Sequence, residues 1–225
     1  MKAIILAAGF GTRLKPLTLT IPKALIKYKN LPLIEHQIFR LQKAGVNFIV
    51  VNLHHLAEQI EEYLKKKNFG IEIITIFEPS ILGTGGAILN SYKYLKDEDF
   101  FWVVNVDSFC NLQYNNMIAF HKKHRPLATI AVQKRISSRH LIFDRDMTLL
   151  KRAEQFDSDN TVGMYAFNGI HILSQEFFNL NYPVKYCDII DLYLDATTHH
   201  KKMIKGYDVG NVYYKDMGKL ENIKD

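Results

Sequence analysis

The sequence predicts an α/β fold in which a mixed, mostly parallel sheet is flanked by helices. Three observations carry the prediction. Short apolar runs rich in isoleucine and valine recur through the first half of the 225 residues, and each is followed by a segment of helical period. Such alternation builds βαβ units and a parallel sheet covered on both faces. In addition, 48% of the chain is hydrophobic, which suits one domain with a sizeable core.

The elements follow in order. Ala3 to Leu6 is a first buried strand, ending in small residues. Gly9 to Leu14 is a loop, and Pro16, Pro22 and Pro32 keep the next stretch largely irregular. Leu33 to Ala44 carries apolar residues at 34, 38 and 41, so it is an amphipathic helix that Gly45 ends. Phe48 to Val51 is a second strand, Leu56 to Lys67 a second helix, and Ile71 to Phe77 a third strand. Gly86 to Leu95 is a third helix, and Phe100 to Asn105 a fourth strand that runs into Asp107. The second half is less regular. Ala128 to Lys134, His140 to Phe143, Val162 to Phe167 and Ile170 to Leu173 read as strands, Asp188 to Ala196 as a helix, and Tyr207 to Asp216 as an extended end.

Composition removes several classes of function. The net charge of +6, from 29 basic and 23 acidic residues, is a mild excess that suits a protein handling phosphates. The basic residues are dispersed; the runs Lys65 to Lys67 and His199 to Lys202 read as solvated helix ends, so no nucleic-acid partner is expected. Cys110 and Cys187 lack ligand spacing and read as reduced thiols. The apolar run at the N-terminus is too short for a signal peptide, and no stretch reaches the roughly 18 apolar residues of a membrane span. A cytoplasmic protein without a membrane partner is the expectation.

In open parallel sheets, ligands sit at the carboxyl ends of strands. Three segments here follow strands directly: the glycine loop after the first, Glu78 to Gly86 after the third, and Asp107 after the fourth. The glycine loop is the strongest signal. In Leu6-Ala7-Ala8-Gly9-Phe10-Gly11-Thr12-Arg13-Leu14, Gly9 and Gly11 let the backbone approach a ligand, and successive N–H groups can cradle an anion. Arg13 adds a planar fork of donors and Lys23 a mobile point charge. A dinucleotide fingerprint is excluded because Leu14 stands where its third glycine belongs, and a P-loop is absent.

With Pro16-Leu17-Thr18 and Pro22-Lys23, this string resembles the N-terminal signature of the sugar-1-phosphate nucleotidylyltransferases, the pyrophosphorylases that make NDP-sugars. Leu82-Gly83-Thr84-Gly85-Gly86-Ala87 resembles that family's second glycine loop, Asn105-Val106-Asp107 its first metal site, and Lys215-Asp216-Met217-Gly218 its second. The matching runs cover nearly the whole chain in the right order. The Val51-Asn52 to Leu56 stretch, Ser138 to Asp144 and Gly169-Ile170-His171 are most similar to compact bacterial members, described as N-acetylmuramate-1-phosphate uridylyltransferases or mannose-1-phosphate guanylyltransferases.

The resemblance implies a Rossmann-like nucleotide-diphospho-sugar transferase fold, one domain over residues 1–225 with a nucleotide-binding half (1–110) and a sugar-phosphate half (111–225). It implies transfer of a nucleoside monophosphate from an NTP, GTP or UTP, to a sugar 1-phosphate, with release of pyrophosphate. Leu6, Ala7, Ala8, Gly9, Gly11, Thr12 and Arg13 would hold the nucleotide, with Gly83, Thr84 and Gly85 at the base. Lys23 would contact the reacting phosphates, with Asn105, Asn168 and Gly169 toward the acceptor; Asp107 and Asp216 would hold Mg2+. Arg13, Lys23 and Asp107 thus form the expected catalytic set. The physics agrees: the acceptor is already a dianion and needs no strong base, and the obstacle is its repulsion from a polyanion.

Several positions depart from the family pattern. Val106 stands where a glycine is common, Lys219 follows Gly218 in place of a threonine, and the Glu-Lys-Pro run is not evident, although Lys151, Arg152 and Glu154 lie in its region. Glu78 either accepts hydrogen bonds from guanine N–H groups or faces solvent. His54 and His55 read as strand-end packing, and no base activates Ser137 or Ser138. Two other functions stay open: a cytidylyltransferase acting on phosphocholine or a similar alcohol, and a non-catalytic nucleotide-binding subunit. A monomer or small homo-oligomer is expected. Cell-wall recycling and surface-polysaccharide synthesis both fit the activity.

Overall fold

The computed structural model describes residues 1–153, 163–201 and 203–223. Glu154, Val162 and Lys202 lie outside them. The strands in chain order are β1 (Lys2–Leu6), β2 (Lys27–Tyr28), β3 (Leu31–Pro32), β4 (Phe48–Leu53), β5 (Glu72–Phe77), β6 (Phe100–Asn105), β7 (Ser108–Cys110), β8 (Ala128–Gln133), β9 (Leu141–Phe143), β10 (Leu149–Arg152), β11 (Gly163–Ser174), β12 (Ile204–Asp208) and β13 (Tyr214–Asp216). The helices are α1 (Leu33–Lys43), α2 (Ala57–Lys65), α3 (Gly83–Asn90), α4 (Tyr92–Leu95), α5 (Tyr114–His124) and α6 (Ile189–Thr198).

The expected alternation is present. β6, β1, β4 and β5 lie side by side, all parallel. The second half extends this sheet antiparallel, through β11 against β6, β8 and β9. β1 shows why the centre is buried on both sides. Its Ala3 and Ile5 enter one core with α1, α2 and Met117 of α5, while Ile4 and Leu6 enter the other with α3 and α6. A continuous apolar strand is what two covered faces require.

Several elements differ from the sequence reading. The third helix begins at Gly83, so the second glycine segment is a first helical turn and not a loop. The two strands read around residues 162–173 are one strand, β11, whose register shifts between Phe167 and His171, with Gly169 at a φ of 71°. β7 and α5 had no sequence signal: β7 has three residues, and α5 buries only Met117 and His121. A helix with so few inward apolar residues leaves little periodic trace.

Candidate active site

A cleft of about 190 Å³ opens where the parallel strands end. Its walls include Leu6, Ala8 and Gly9 after β1, Asn52 on β4, Glu78 after β5, and Asn105 and Asp107 after β6. Gly83 and Thr84 come from the first turn of α3, and Lys23 closes the near side. The three segments that followed strands in the sequence therefore meet.

The glycine loop is shaped by its own contacts. Gly11 has φ 64°, a left-handed conformation that favours glycine, and a Cβ there would come within 2.7 Å of Thr18 Cγ2. The Thr18 hydroxyl donates to the Gly11 carbonyl at 2.9 Å. Thr12 and Arg13 then lie in one 3₁₀ turn, Thr12–Leu14, and Arg13 is the more exposed of the site's cations.

Two ion pairs organise the charges. Lys23 Nζ donates to Asp107 Oδ2 at 2.9 Å, with both side chains mostly buried. Arg13 Nη1 donates to Asp216 Oδ2 at 2.7 Å, and Nη2 reaches Oδ1 at 3.4 Å. Burial pulls the Asp107 carboxyl up, but the charge and hydrogen bond of Lys23 outweigh it and hold the group below its ordinary value. The hydrogen bond to Asp216 raises the Arg13 pKa against the effect of burial.

Asp107 and Asp216 meet through backbone pairing. β13 runs antiparallel to β7, with Asp216 opposite Ser108, and Met217 N donates to Asp107 O at 2.8 Å. Gly218 keeps the space between them open. A Cβ on it would lie 2.5 Å from Arg13 Nη2, 2.7 Å from Asp107 Oδ2 and 2.9 Å from Asp216 Oδ1. Two carboxylates thus converge on a point that only hydrogen can share. Among the described residues no group of three or more His, Cys, Asp or Glu could hold a metal. A pair of carboxylates with room for substrate oxygens is the donor set that Mg2+ accepts, so the residues fit that ion.

Glu78 is neither solvent-facing nor free. It is 1% exposed; Asn52 Nδ2 donates to Oε1 at 2.8 Å and Leu82 N to Oε2 at 3.0 Å. Asn52 Oδ1 in turn accepts from Ala7 N at 2.8 Å. The carboxylate therefore ties the glycine loop to the start of α3. Sequence reasoning assigned Asn52 no role, and its one signal was a polar residue ending a buried apolar strand.

The other expected residues separate. Gly85 faces away from the cleft: a Cβ there would meet Cys187 Sγ and Leu192 Cδ1, each at 2.9 Å. The helical turn is bound to the second half instead, by Gly85 N to Cys187 O at 2.9 Å, Cys187 N to Leu82 O at 3.0 Å and Ile189 N to Thr84 Oγ1 at 2.8 Å. Asn168 is fully buried, accepts from Arg135 Nε at 3.1 Å and faces Cys110 Sγ, so it supports the wall from behind and does not face the cleft. Gly169 packs under Asn105 and Ser108, whose side-chain atoms leave no room for a Cβ. Arg152 pairs with Asp191 at 2.7 Å, and Lys151 is exposed on β10. His54 Nδ1 bonds to Glu78 O and His55 Nε2 to Thr18 O, each at 2.8 Å, in keeping with a packing role. Both cysteines are free thiols, and no helix among the described residues is long and apolar enough to cross a membrane.

The family model described as "Nucleotidyl transferase" matches residues 2–225. The chain is 39% identical over 137 residues to the mannose-1-phosphate guanylyltransferase catalytic subunit beta of Xenopus tropicalis, covering 60% of this chain and 38% of that protein. It is 37% identical over 186 residues to the mannose-1-phosphate guanyltransferase of Eremothecium gossypii, covering 80% of this chain and 52% of that one. The chain thus spans about half or less of the curated relatives it matches. Among solved structures, HddC from Yersinia pseudotuberculosis complexed with GMP-PN superposes with a TM-score of 0.81 at 27% identity, over 99% of this chain and 96% of that chain. The inositol-1-phosphate CTP transferase from T. maritima superposes with a TM-score of 0.81 at 18% identity, over 98% of this chain and 90% of that one, which shows a shared fold.

Proposed function

The chain belongs to the nucleotidyl transferase family, and on that premise we propose that it moves a nucleoside monophosphate from an NTP to a sugar 1-phosphate. One observation carries the reading. Four charged groups from positions 13, 23, 107 and 216 converge at the mouth of the strand-end cleft, two cations against two carboxylates.

In the reaction, an oxygen of the sugar phosphate attacks the α-phosphorus of the NTP. The bond from the α-phosphorus to the bridging oxygen breaks, and pyrophosphate leaves with that electron pair. No proton is transferred to the protein, so no general base is required. Lys23 and Arg13 stand where they would offset the charge of the triphosphate and of the leaving pyrophosphate. Asp107 and Asp216 would hold Mg2+, which on binding supplies further positive charge to the phosphates. The Glu78–Asn52 bridge fixes the Ala7 amide and the α3 turn, which present backbone to the nucleotide.

GTP and mannose 1-phosphate are the substrates we favour. The support is the printed names of the relatives, guanylyltransferases for mannose 1-phosphate, and the GMP-PN complex of HddC. Glu78 gives no support to a guanine contact, because internal donors engage both its oxygens. The cytidylyltransferase reading rests on shared fold alone. A purely regulatory subunit would have no need of the four converging charges.

The test is pyrophosphate release with Mg2+, crossing four NTPs with mannose, glucose, N-acetylglucosamine, N-acetylmuramate and heptose 1-phosphates, and with Asp107→Ala as blank. Release that needs one NTP, one sugar phosphate and Asp107 is the expected result. Turnover of phosphocholine with CTP alone would replace the acceptor. NTP binding without release from any acceptor would sink the enzymatic reading.

A further inference from the structure

One inward position of α1 is polar. Ile34, Ile38 and Leu41 enter the core, and Gln37 lies among them at 0% exposure. Its side chain reaches the turn at residues 106–107 that joins β6 to β7. Nε2 donates to Val106 O at 3.3 Å and to Ser108 O at 2.8 Å, the carbonyls on either side of Asp107 in the chain. Two carbonyls at one nitrogen fix the orientation of the amide, because only its NH2 end can face both. The other end, Oε1, is buried and has no hydrogen-bond partner among the described residues. The core thus accepts one stranded oxygen in order to hold two backbone carbonyls. A side chain with a single donor would satisfy only one of them, and asparagine is a methylene shorter.

The turn is held from other sides as well. Val106 N donates to Leu6 O at 3.2 Å, which joins it to the end of β1, and Met217 N donates to Asp107 O at 2.8 Å. Ser108 stands opposite Asp216 in the pairing of β7 with β13. Gln37 therefore grips the backbone that carries Asp107 and also the first residue of the strand against which Asp216 is aligned. We propose that Gln37 is a positioning residue for the divalent-cation site. Fully buried behind the cleft, it meets no substrate; it sets the separation of the Asp107 and Asp216 carboxylates through the backbone. The proposal rests on the reading of those two residues as metal ligands. Losing a group that orients a ligand from behind typically weakens metal binding about 10–100-fold.

Mn2+, which favours the same oxygen ligands, is the probe. Its binding is read by water-proton relaxation at up to millimolar metal, without nucleotide, beside a thermal melt of each variant. Wild type should bind saturably and Asp107→Ala should not. Gln37→Met is close in length but has no donor, and it should weaken binding at least about tenfold. Gln37→Asn keeps the amide and shortens its reach; it should weaken binding in the same direction and serves if Gln37→Met does not fold. Ile60→Ala empties a fully buried position of α2 in the same core. It should lower the melting temperature and leave Mn2+ affinity unchanged, which separates positioning from general softening. Gln37 variants that bind Mn2+ within about twofold of wild type would overturn the proposal, and so would an equal weakening in Ile60→Ala. Wild type that binds no Mn2+ would instead remove the metal reading of Asp107 and Asp216, and this proposal with it.

Discussion

Replacing Gly218 by alanine tests the metal-site reading with one methyl group. A Cβ at 218 would sit 2.7 Å from Asp107 Oδ2 and 2.9 Å from Asp216 Oδ1, inside the distance real Cβ atoms keep. The backbone at 218 is outside the left-handed region, so alanine adds no strain there, and a smaller unfolded ensemble offsets part of any loss by roughly 0.4–1 kcal/mol. Arg13 can swing away, being largely exposed. The carboxylates have less freedom: Asp107 is held by Lys23 and Asp216 by Gly218 N. They must part by several tenths of an ångström. Mg2+ keeps its oxygens at about 2.0–2.1 Å, and a misplacement of around 1 Å costs on the order of 10²-fold in rate. Gly218→Ala should therefore melt within about 2–4 °C of wild type, a shift of roughly 1 kcal/mol, yet need at least about tenfold more Mg2+ and turn over roughly 10²-fold more slowly. The assay is pyrophosphate release against Mg2+ concentration beside a thermal melt. Unchanged Mg2+ dependence and rate would refute the reasoning, since Gly218 would then be a turn residue only.

Three further outcomes are expected. Glu78→Gln sets an amide donor against Asn52 Nδ2 or Leu82 N, which should cost about 1–3 kcal/mol in urea unfolding and raise KM for the NTP more than it lowers kcat, with base preference unchanged; a switch in base preference would restore the guanine-contact reading. Lys23→Met leaves the buried Asp107 carboxylate unpaired and should lose about 3–5 kcal/mol at neutral pH. Lys23 holds the folded Asp107 pKa down against burial, so without it the carboxyl takes a proton at higher pH, and the loss is full at neutral pH and shrinks as the pH falls into the acid range, which denaturant titrations at stepped pH would show. Burial lowers the His121 pKa from 6.5 to about 4, so the unfolded chain takes the proton first, and stability is full above pH 6.5 and declines toward pH 4 by about 3 kcal/mol from this group. His121→Gln should flatten that limb in the same titration; an unchanged acid limb would assign it elsewhere.

The division between sequence and tertiary structure is physical. Strand-helix alternation, the glycine loop and the residues Arg13, Lys23, Asp107 and Asp216 were legible because local pattern and short motifs carry them. α5 and β7 were not, because β7 is only three residues long and α5 buries too few apolar residues to leave a period. Nor could a single strand reveal that Asn52 would reach Ala7 and Glu78, or that Gly85 would turn from the cleft to pack on Cys187. By itself the sequence determined the fold class and singled out the charged residues proposed to carry the chemistry. Only the tertiary structure decided which of them meet, because Arg13 and Asp216 are 203 residues apart and their distance depends on β13 pairing with β7, a contact that no local energy encodes.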